Sequence, residues 1–462
     1  MTDSRRLSAG LAVLTLLFAF LLATSYASAQ LSGDEIRGDP AVERALQTGE
    51  RDPVVGPRDN LTVVATDSTA FTSDQGDSAR KRAELVAFAP DGSIYYANDS
   101  HTRYWDVDPV PGTNATVEYV YAQHLTPEQC DAETVCTRNG VERANLTTGE
   151  VTSIYSRITP GKHSTRWHDV DRLGEDRLLV ADIDRDRAYV VNTTTGLVEW
   201  SWDAQADYNT SSGGPYPSDW THLNDVEYVE IDGRPTVMAS LRNQDQVVFI
   251  DMERGLREDW TLGEDGDHDT LYEQHNPDFI PAERGGPAVL VADSENGRVL
   301  EYQREDGEWV RSWEWKDSRL TWVRDADRLP NGHTLMADSN GDRVLEVDES
   351  GEVVWSADIG FPYEAERFGT GDESAGGRSA AALGLPDRTP NASDRGSVGR
   401  VKAALPQKVV NGVAYLLPGW MGTLDVVSVL GLLVTAPLLL AVEWRRRDLS
   451  VSVRSPLQFR KR

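Results

Sequence analysis

The sequence predicts an all-β chain built as a six-bladed β-propeller, and three observations carry that reading. Short alternating strands broken by turn residues run from Glu84 onward. One segment recurs: Leu290-Val-Ala-Asp293 and Leu335-Met-Ala-Asp338 match Leu179-Val-Ala-Asp182 and Val237-Met-Ala-Ser240, with an earlier copy at Ile94-Tyr-Tyr-Ala-Asn98. Aligned on Asp169, Asp225, Asp278 and Asp325, the units repeat at 56, 53 and 47 residues, which suits four-stranded blades with variable loops.

Residues 1–30 contain an apolar run, Leu7 to Thr24, behind Arg5-Arg6 and ahead of Ala27-Ser-Ala29, and read as a signal peptide or signal anchor. Residues 31–83 are polar and extended, with one strand-like patch at Leu61-Thr-Val-Val-Ala65 suited to closing a ring. Residues 84–361 are the propeller. Four units are plain, and the span from Glu84 to Asp169 has room for two more, the second a degenerate one over Cys130 to Tyr155. Units turn at Gly or Asp and end in strands bearing tryptophan, such as Val198-Glu-Trp-Ser-Trp202, which are expected to pack between blades. Residues 362–408, rich in Gly, Ser, Ala and Asp, read as a flexible stalk. Residues 409–443 hold a mildly apolar segment and then Leu424 to Val442, long enough at about 1.5 Å per residue to cross a ~30 Å hydrocarbon core. Residues 444–462 form a basic tail.

The formal net charge is -29, with 40 arginines against six lysines. An acid-rich, lysine-poor surface stays hydrated where salt screens its self-repulsion, and points to a salt-loving, archaeal source. It offers no basic stripe for phosphates, which argues against nucleic acid as a partner. The charge is unevenly spread: residues 31–405 carry 36 basic against 71 acidic groups, and the residues outside them ten against four. By the positive-inside rule, Arg445-Arg-Arg447 places both termini in the cytoplasm and the propeller outside the cell. Seven Asn-X-Ser/Thr sequons, at Asn60, Asn98, Asn114, Asn145, Asn192, Asn209 and Asn391, agree with an exported domain and are candidate glycosylation sites. The only cysteines, Cys130 and Cys136, are expected to form a loop-closing disulfide; alone they are too few for a metal site.

Of eight histidines, three head consecutive units: His168 in His168-Asp-Val-Asp, His222 in Thr221-His-Leu-Asn224, and His275 in Glu273-Gln-His-Asn-Pro. The innermost strand of every propeller blade starts near the central channel, so equivalent positions meet around one axis. His168, Asn224, Pro277 and Arg324 share one aligned position, His222 and His275 lie two residues upstream in their units, and Arg242 follows Ser240-Leu241 on a neighbouring strand. Imidazoles and guanidiniums gathered in an acidic protein make an electropositive pocket suited to sulfate, phosphate or carboxylate. A desolvated imidazole there can serve as nucleophile or proton carrier. One histidine at a strand start is more often a hydrogen-bonded turn residue; three at matched positions, with Arg242, carry the functional reading. His101, His124, His163, His268 and His333 fall off the frame and are read as structural. Asp338-Ser-Asn-Gly-Asp342 and Asp182-Ile-Asp-Arg-Asp186 lack the glycine placement of a helical calcium loop and are read as blade turns. No metal, nucleotide or other cofactor is expected.

Thr221-His-Leu-Asn224, then Ser240-Leu-Arg242, then Gln274-His275, in that order within a six-unit repeat, resembles the arylsulfotransferases that use phenolic sulfate donors rather than a nucleotide sulfate. The resemblance covers roughly residues 84–360. It implies a ping-pong transfer in which His275 attacks the sulfur of an aryl sulfate and the resulting sulfohistidine sulfates an acceptor phenol. On that model His222, Asn224 and Arg242 hold the sulfuryl oxygens and His168 carries the proton. Arg324 is added from the repeat frame as a further anion contact. Bacterial members carry a substantial N-terminal domain before the propeller, whereas about fifty residues precede it here, a C-terminal apolar span is added, and Asn276-Pro277-Asp278 departs from the family's usual run. Two other readings compete: a non-catalytic surface propeller that binds a glycan, an anion or a protein, and a calcium-dependent lactonase or esterase, which would need carboxylates and amides where this frame offers His and Arg.

Overall fold

The computed structural model describes residues 2–32, 40–49, 51–68, 83–161, 165–317, 320–371, 376–389, 406–417, 421 and 423–446. It separates into two compact units, residues 36–416 and residues 1–35 with 417–462. The larger unit is a six-bladed β-propeller of six four-stranded antiparallel sheets. Blade 1 runs from Arg103 to Pro160, blade 2 from Trp167 to Asp203, blade 3 from Leu223 to Leu256, blade 4 from His275 to Trp315, and blade 5 from Val323 to Asp358.

Blade 6 is composite. Its innermost strand, Pro362–Arg367, comes from the far end of the propeller sequence, and the strands Thr62–Thr66, Leu85–Phe88 and Ile94–Asn98 complete it outward. Val63 pairs with Glu366 and Val64 with Ala365, so the ring is closed by backbone hydrogen bonds between segments 300 residues apart. Closure removes the exposed sheet edges that an open array would leave. Two sequence expectations need correction. Ile94–Asn98, read as a copy of the segment that forms the second strand in blades 2 to 5, is instead the outermost strand of blade 6, and Cys130 to Tyr155 lies inside blade 1 rather than forming a blade. The long strands Cys136–Asn145 and Glu150–Pro160 pair with each other along their length, which is why this region lacks the usual turn spacing.

Every innermost strand carries one extra residue at its start. The register against the second strand shifts between Tyr104 and Val107, Trp167 and Val170, Leu223 and Asp225, His275 and Asp278, Val323 and Asp325, and, in blade 6, at Tyr363. Such bulges bend a strand and re-aim its side chains. Just past them, acids staple four of the blades to the next. Asp106 accepts the Val170 N–H (3.1 Å), Asp169 that of Val226 (2.6 Å), Asp325 that of Ala365 (3.0 Å) and Glu364 that of Val107 (2.9 Å). Between the blades lie fully buried tryptophans, Trp105, Trp167, Trp220 and Trp315; truncating one to Ala costs about 3–5 kcal/mol.

The propeller reaches beyond 84–361, and residues 376–389 pack on it rather than hang free. Ala380 is buried in the same apolar cluster as Trp313 and Trp315, the Ser379 hydroxyl caps the turn Ala380–Leu383, and Arg388 N–H donates to the Glu314 carbonyl at 2.8 Å. Small residues here permit close approach: a Cβ on Gly377 would stand 2.0 Å from the Arg328 carbonyl oxygen. Of the expected stalk, residues 372–375 and 390–405 lie outside the described residues.

The smaller unit is a pair of helices, Thr2–Ser32 and Thr423–Arg446, each with a segment long and apolar enough to cross a membrane. They pair antiparallel: the Thr15 hydroxyl meets that of Thr435 at 3.0 Å and the Ser25 hydroxyl donates to Asp425 at 3.0 Å. Leu16, Leu433 and Leu440 are each about two-thirds exposed or more, as a lipid-facing surface would be.

Candidate active site

Three kinds of segment meet on one face of the ring: the starts of the innermost strands, the connections that lead into them, and the short turns between second and third strands, such as Arg242–Gln244 and Ser294–Asn296. His168, Asn224 and Arg324 sit on the innermost-strand bulges, and His275 opens its strand immediately before one. The backbone leading in is left-handed at His222 (φ 46°), Glu273 (46°), Asn276 (35°), Trp322 (69°) and Phe361 (54°). Non-glycine residues take that conformation at a cost of about 1–3 kcal/mol each, and such strain clusters at functional sites.

His275 is 1% exposed. Its Nδ1 lies 3.1 Å from the Glu273 carbonyl oxygen and 2.8 Å from the Ser294 hydroxyl. A carbonyl oxygen only accepts, so Nδ1 bears the proton and Nε2 keeps its lone pair. Nε2 has no hydrogen-bond partner among the described residues. Burial, followed by the charges of Arg324 and Arg242, holds this imidazole well below its ordinary range, so it is neutral near pH 7.

His168 and His222 meet edge to face, ring centres 5.2 Å apart. Burial holds His168 well below the ordinary range, with His222 and Arg166 adding to it. Its Nδ1 is 3.3 Å from the Tyr363 hydroxyl. Burial pushes that phenol well above its usual value, so it stays protonated; its oxygen also accepts, and with the ring proton on Nδ1 the His168 Nε2 keeps its lone pair. Burial and Arg242 also lower His222, while the Asp219 carboxylate, 2.7 Å from its Nδ1, opposes them. His222 is therefore the imidazole of the three best placed to gain a second proton.

The expected polar contacts are present but partly engaged. Arg242 is paired with Glu273 and donates to Asn243 Oδ1 at 3.1 Å, leaving its buried Nε–H without a partner among the described residues. Asn224 is fully buried; its amide donates to the Gln274 carbonyl at 3.0 Å, which braces the residue before His275, and its Oδ1 has no described partner. Arg324 bonds Asp67 at 3.2 Å and lies over the rings of Trp322 (4.2 Å), Tyr363 (4.9 Å) and Phe361 (5.1 Å). Its Nε–H too has no described partner.

Several residues of this face escaped the sequence reading. Arg103 binds Asp67 at 2.7 Å, and burial pushes its guanidinium down to about 10. Burial would raise the Asp67 carboxyl, but Arg103, Arg324 and Arg166 together hold it below its usual value. Arg166 lies over Trp105, whose ring is 4.5 Å from that of His168. The pocket thus has an imidazole side, His168, His222 and His275, and an aromatic side, Trp105, Trp322, Phe361 and Tyr363. Arginine charge exceeds the nearby carboxylate charge of Asp67, Asp219 and Glu273.

Past the bulges the channel turns acidic. Burial and neighbouring acids raise Asp225 and Glu364 well above the usual carboxyl range, and burial raises Asp325 to about 7. Among the described residues, Asp106, Asp108 and Glu364 stand close enough to hold a metal ion. Glu364 and Asp106 already accept the blade-stapling N–H groups, and Glu364 also accepts the Asn276 amide at 3.1 Å.

The remaining histidines are placed away from this constellation: His101 bonds Glu142 at 2.9 Å, His333 bonds Glu346 at 2.6 Å, His268 stacks on Tyr272, and His124 is buried in blade 1. His163 lies outside the described residues. Cys130 and Cys136 are joined as a disulfide in the blade 1 turn on the same face. Asn60, Asn114 and Asn209 are exposed; Asn98, Asn145 and Asn192 are half-buried and hydrogen-bonded locally; Asn391 lies outside the described residues.

Residues 161–316 match the family model for arylsulfotransferase (ASST). No curated protein matches the chain. Similar solved structures include a protein of unknown function from Bacteroides caccae (12% identity, 66% of this chain and 97% of that one, TM-score 0.42). Another is the periplasmic gluconolactonase PpgL of Pseudomonas aeruginosa (13% identity, 67% and 99%, TM-score 0.42). A third is a virginiamycin B lyase from Staphylococcus aureus (8% identity, 68% and 89%, TM-score 0.38). At these TM-scores the likenesses add nothing to the architecture read from the strands themselves. The matched residues 161–316 contain His168, His222, Asn224, Arg242 and His275, so five of the expected site residues lie where the chain is similar to the arylsulfotransferase family model.

Proposed function

We propose that this chain moves a sulfuryl group from a phenolic sulfate ester to an acceptor phenol through His275. The observation that carries the reading is the fixed tautomer of that ring: Nδ1–H is committed to Glu273, and Nε2 keeps its lone pair amid Arg324, Arg242 and His222. In the first half-reaction Nε2 attacks sulfur, the N–S bond forms, and the S–O bond to the aryl group breaks. The aryl oxygen leaves as phenolate, its charge facing the arginine side of the site. In the second half neutral His168 takes the acceptor phenol's proton on Nε2 as the phenol oxygen displaces His275 from sulfur, and then passes it to the released phenolate or to water. The negative charge of the sulfuryl oxygens falls to the unpartnered Nε–H groups of Arg242 and Arg324, and to His222 once the bound anion draws a second proton onto its ring. Asn224 acts chiefly by bracing Gln274 beside the nucleophile.

The paired helices extend the proposal to location. Antiparallel pairing sets both chain ends on one side of a membrane, and the basic residues after Val442 favour the cytoplasm for that side. The propeller then faces outward, with its sequons open to glycosylation and its acidic surface suited to a salty medium.

The test is transfer by the full chain in high salt, with 4-nitrophenyl sulfate as donor and phenol as acceptor. Nitrophenolate release that depends on phenol is expected. Release without phenol would make the protein a sulfatase, and no release across several aryl sulfates would favour a non-catalytic anion-binding propeller.

A further inference from the structure

The helix Gln407–Leu416, in the segment leading to the second apolar span, packs on the same propeller face as the site. Residues 408, 411 and 415 share one helical side, and each is engaged. Lys408 pairs with Glu273, the partner of Arg242, and lies 4.7 Å over the Tyr272 ring. The Asn411 amide donates to Glu295 at 3.0 Å and to the Ser294 carbonyl at 3.3 Å, and the Asn411 carbonyl accepts from Asn340 at 3.3 Å. Tyr415 sets its ring 5.6 Å from Trp322 and 6.0 Å from Phe361. The opposite side of the helix, Val409 and Val413, is 49% and 41% exposed. A helix held only by apolar packing would bury those valines; this one is placed by polar anchors that deliver an aromatic ring.

Trp322 is the hinge of the arrangement. It meets Tyr415 on one side, His275 at 6.2 Å edge to face on another, and carries the Arg324 guanidinium at 4.2 Å. An aryl sulfate with its sulfur at His275 Nε2 and its oxygens toward Arg324 has its ring on this aromatic side. Resting on the sulfotransfer reading above, we propose that Tyr415 completes an aromatic-ring subsite with Trp322 and Phe361, so that the membrane-proximal helix selects aryl over alkyl esters. Rings stacked or set edge to face gain enough affinity for the ring to matter by about two- to tenfold.

The experiment uses the full chain, with Tyr415→Ala, Tyr415→Phe and the anchor variant Lys408→Ala/Asn411→Ala. It measures KM and kcat for 4-nitrophenyl sulfate and, separately, equilibrium binding of 4-nitrophenol by calorimetry, which needs no turnover. Tyr415→Ala and the anchor variant are expected to raise KM and weaken 4-nitrophenol binding by about two- to tenfold. kcat is expected to fall by less, and Tyr415→Phe to restore wild-type values within about twofold. Unchanged values in Tyr415→Ala would overturn the subsite, and so would tighter binding, which would mean that the helix plugs the pocket. Wild-type turnover with ring binding intact in Tyr415→Ala sinks this proposal alone. Ring binding that Tyr415→Ala weakens, in a protein that never transfers sulfate, keeps the subsite and sinks the transferase reading.

Discussion

His275 Nδ1 stands 2.8 Å from the hydroxyl of Ser294, in the turn between the second and third strands of blade 4. Together with the Glu273 carbonyl, that hydroxyl fixes which nitrogen faces the pocket. His275→Ala is expected to lower kcat/KM by about 10⁴-fold or more, as loss of a nucleophile does. Ser294→Ala keeps the Glu273 bond and should cost only about tenfold, in kcat rather than KM, as loss of a positioning contact. Steady-state kinetics on both variants separates the roles.

The buried histidines make a pH prediction. His275 and His168 are held well below 6.5, so they stay neutral as pH falls through the ordinary imidazole range. The acid limb of kcat/KM should therefore lie below pH 6.5. A limb at 6.5 or above would contradict the burial argument. The stability they contribute is full above the unfolded value and is lost as pH falls below it.

Asp325 runs the other way. Its carboxyl is raised from 3.8 to about 7, so the folded state holds the proton more tightly. Its contribution is full below about pH 4 and is lost as pH rises through about 7. Asp325→Asn, which keeps an acceptor for the Ala365 N–H, should flatten that decline in thermal melts across the window.

Asp67 joins two arginines, Arg103 and Arg324, from different blades. Asp67→Asn leaves both under-compensated and should destabilise the propeller by about 3–5 kcal/mol in denaturant melts. Added sulfate should recover part of that loss if the pocket binds anions.

The Cys130–Cys136 bridge closes a loop with a sequence separation of only 6. Chain-entropy reasoning gives so short a loop about 2 kcal/mol, so Cys130→Ala/Cys136→Ala should shift the unfolding midpoint modestly and leave the blade count intact.

Much of the site was legible because bulge and staple leave a repeated signature. His168-Asp-Val-Asp171 has a twin in Trp105-Asp-Val-Asp108, and Arg324-Asp-Ala-Asp-Arg328 in Tyr363-Glu-Ala-Glu-Arg367. Those twins mark Trp105 and Tyr363 as site positions in blades 1 and 6, a signal present in the sequence but hidden by the aromatic substitution at its first place. Blade 6 itself was harder to read, since its inner strand and its outer three are separated by the whole ring. Asp67 and Arg103 meet only after that closure. The helix Gln407–Leu416 has no repeat to mark it, and its mild apolarity suited a membrane surface as well as a propeller face.

The most direct test of the account is to mix the full chain with 4-nitrophenyl sulfate in the absence of any acceptor and to follow both product and protein. We expect a burst of nitrophenolate equal to one per protein molecule, and one added sulfuryl group mapped by mass spectrometry to His275. A burst whose sulfuryl group maps to another residue, or steady release with none retained, would contradict transfer through His275.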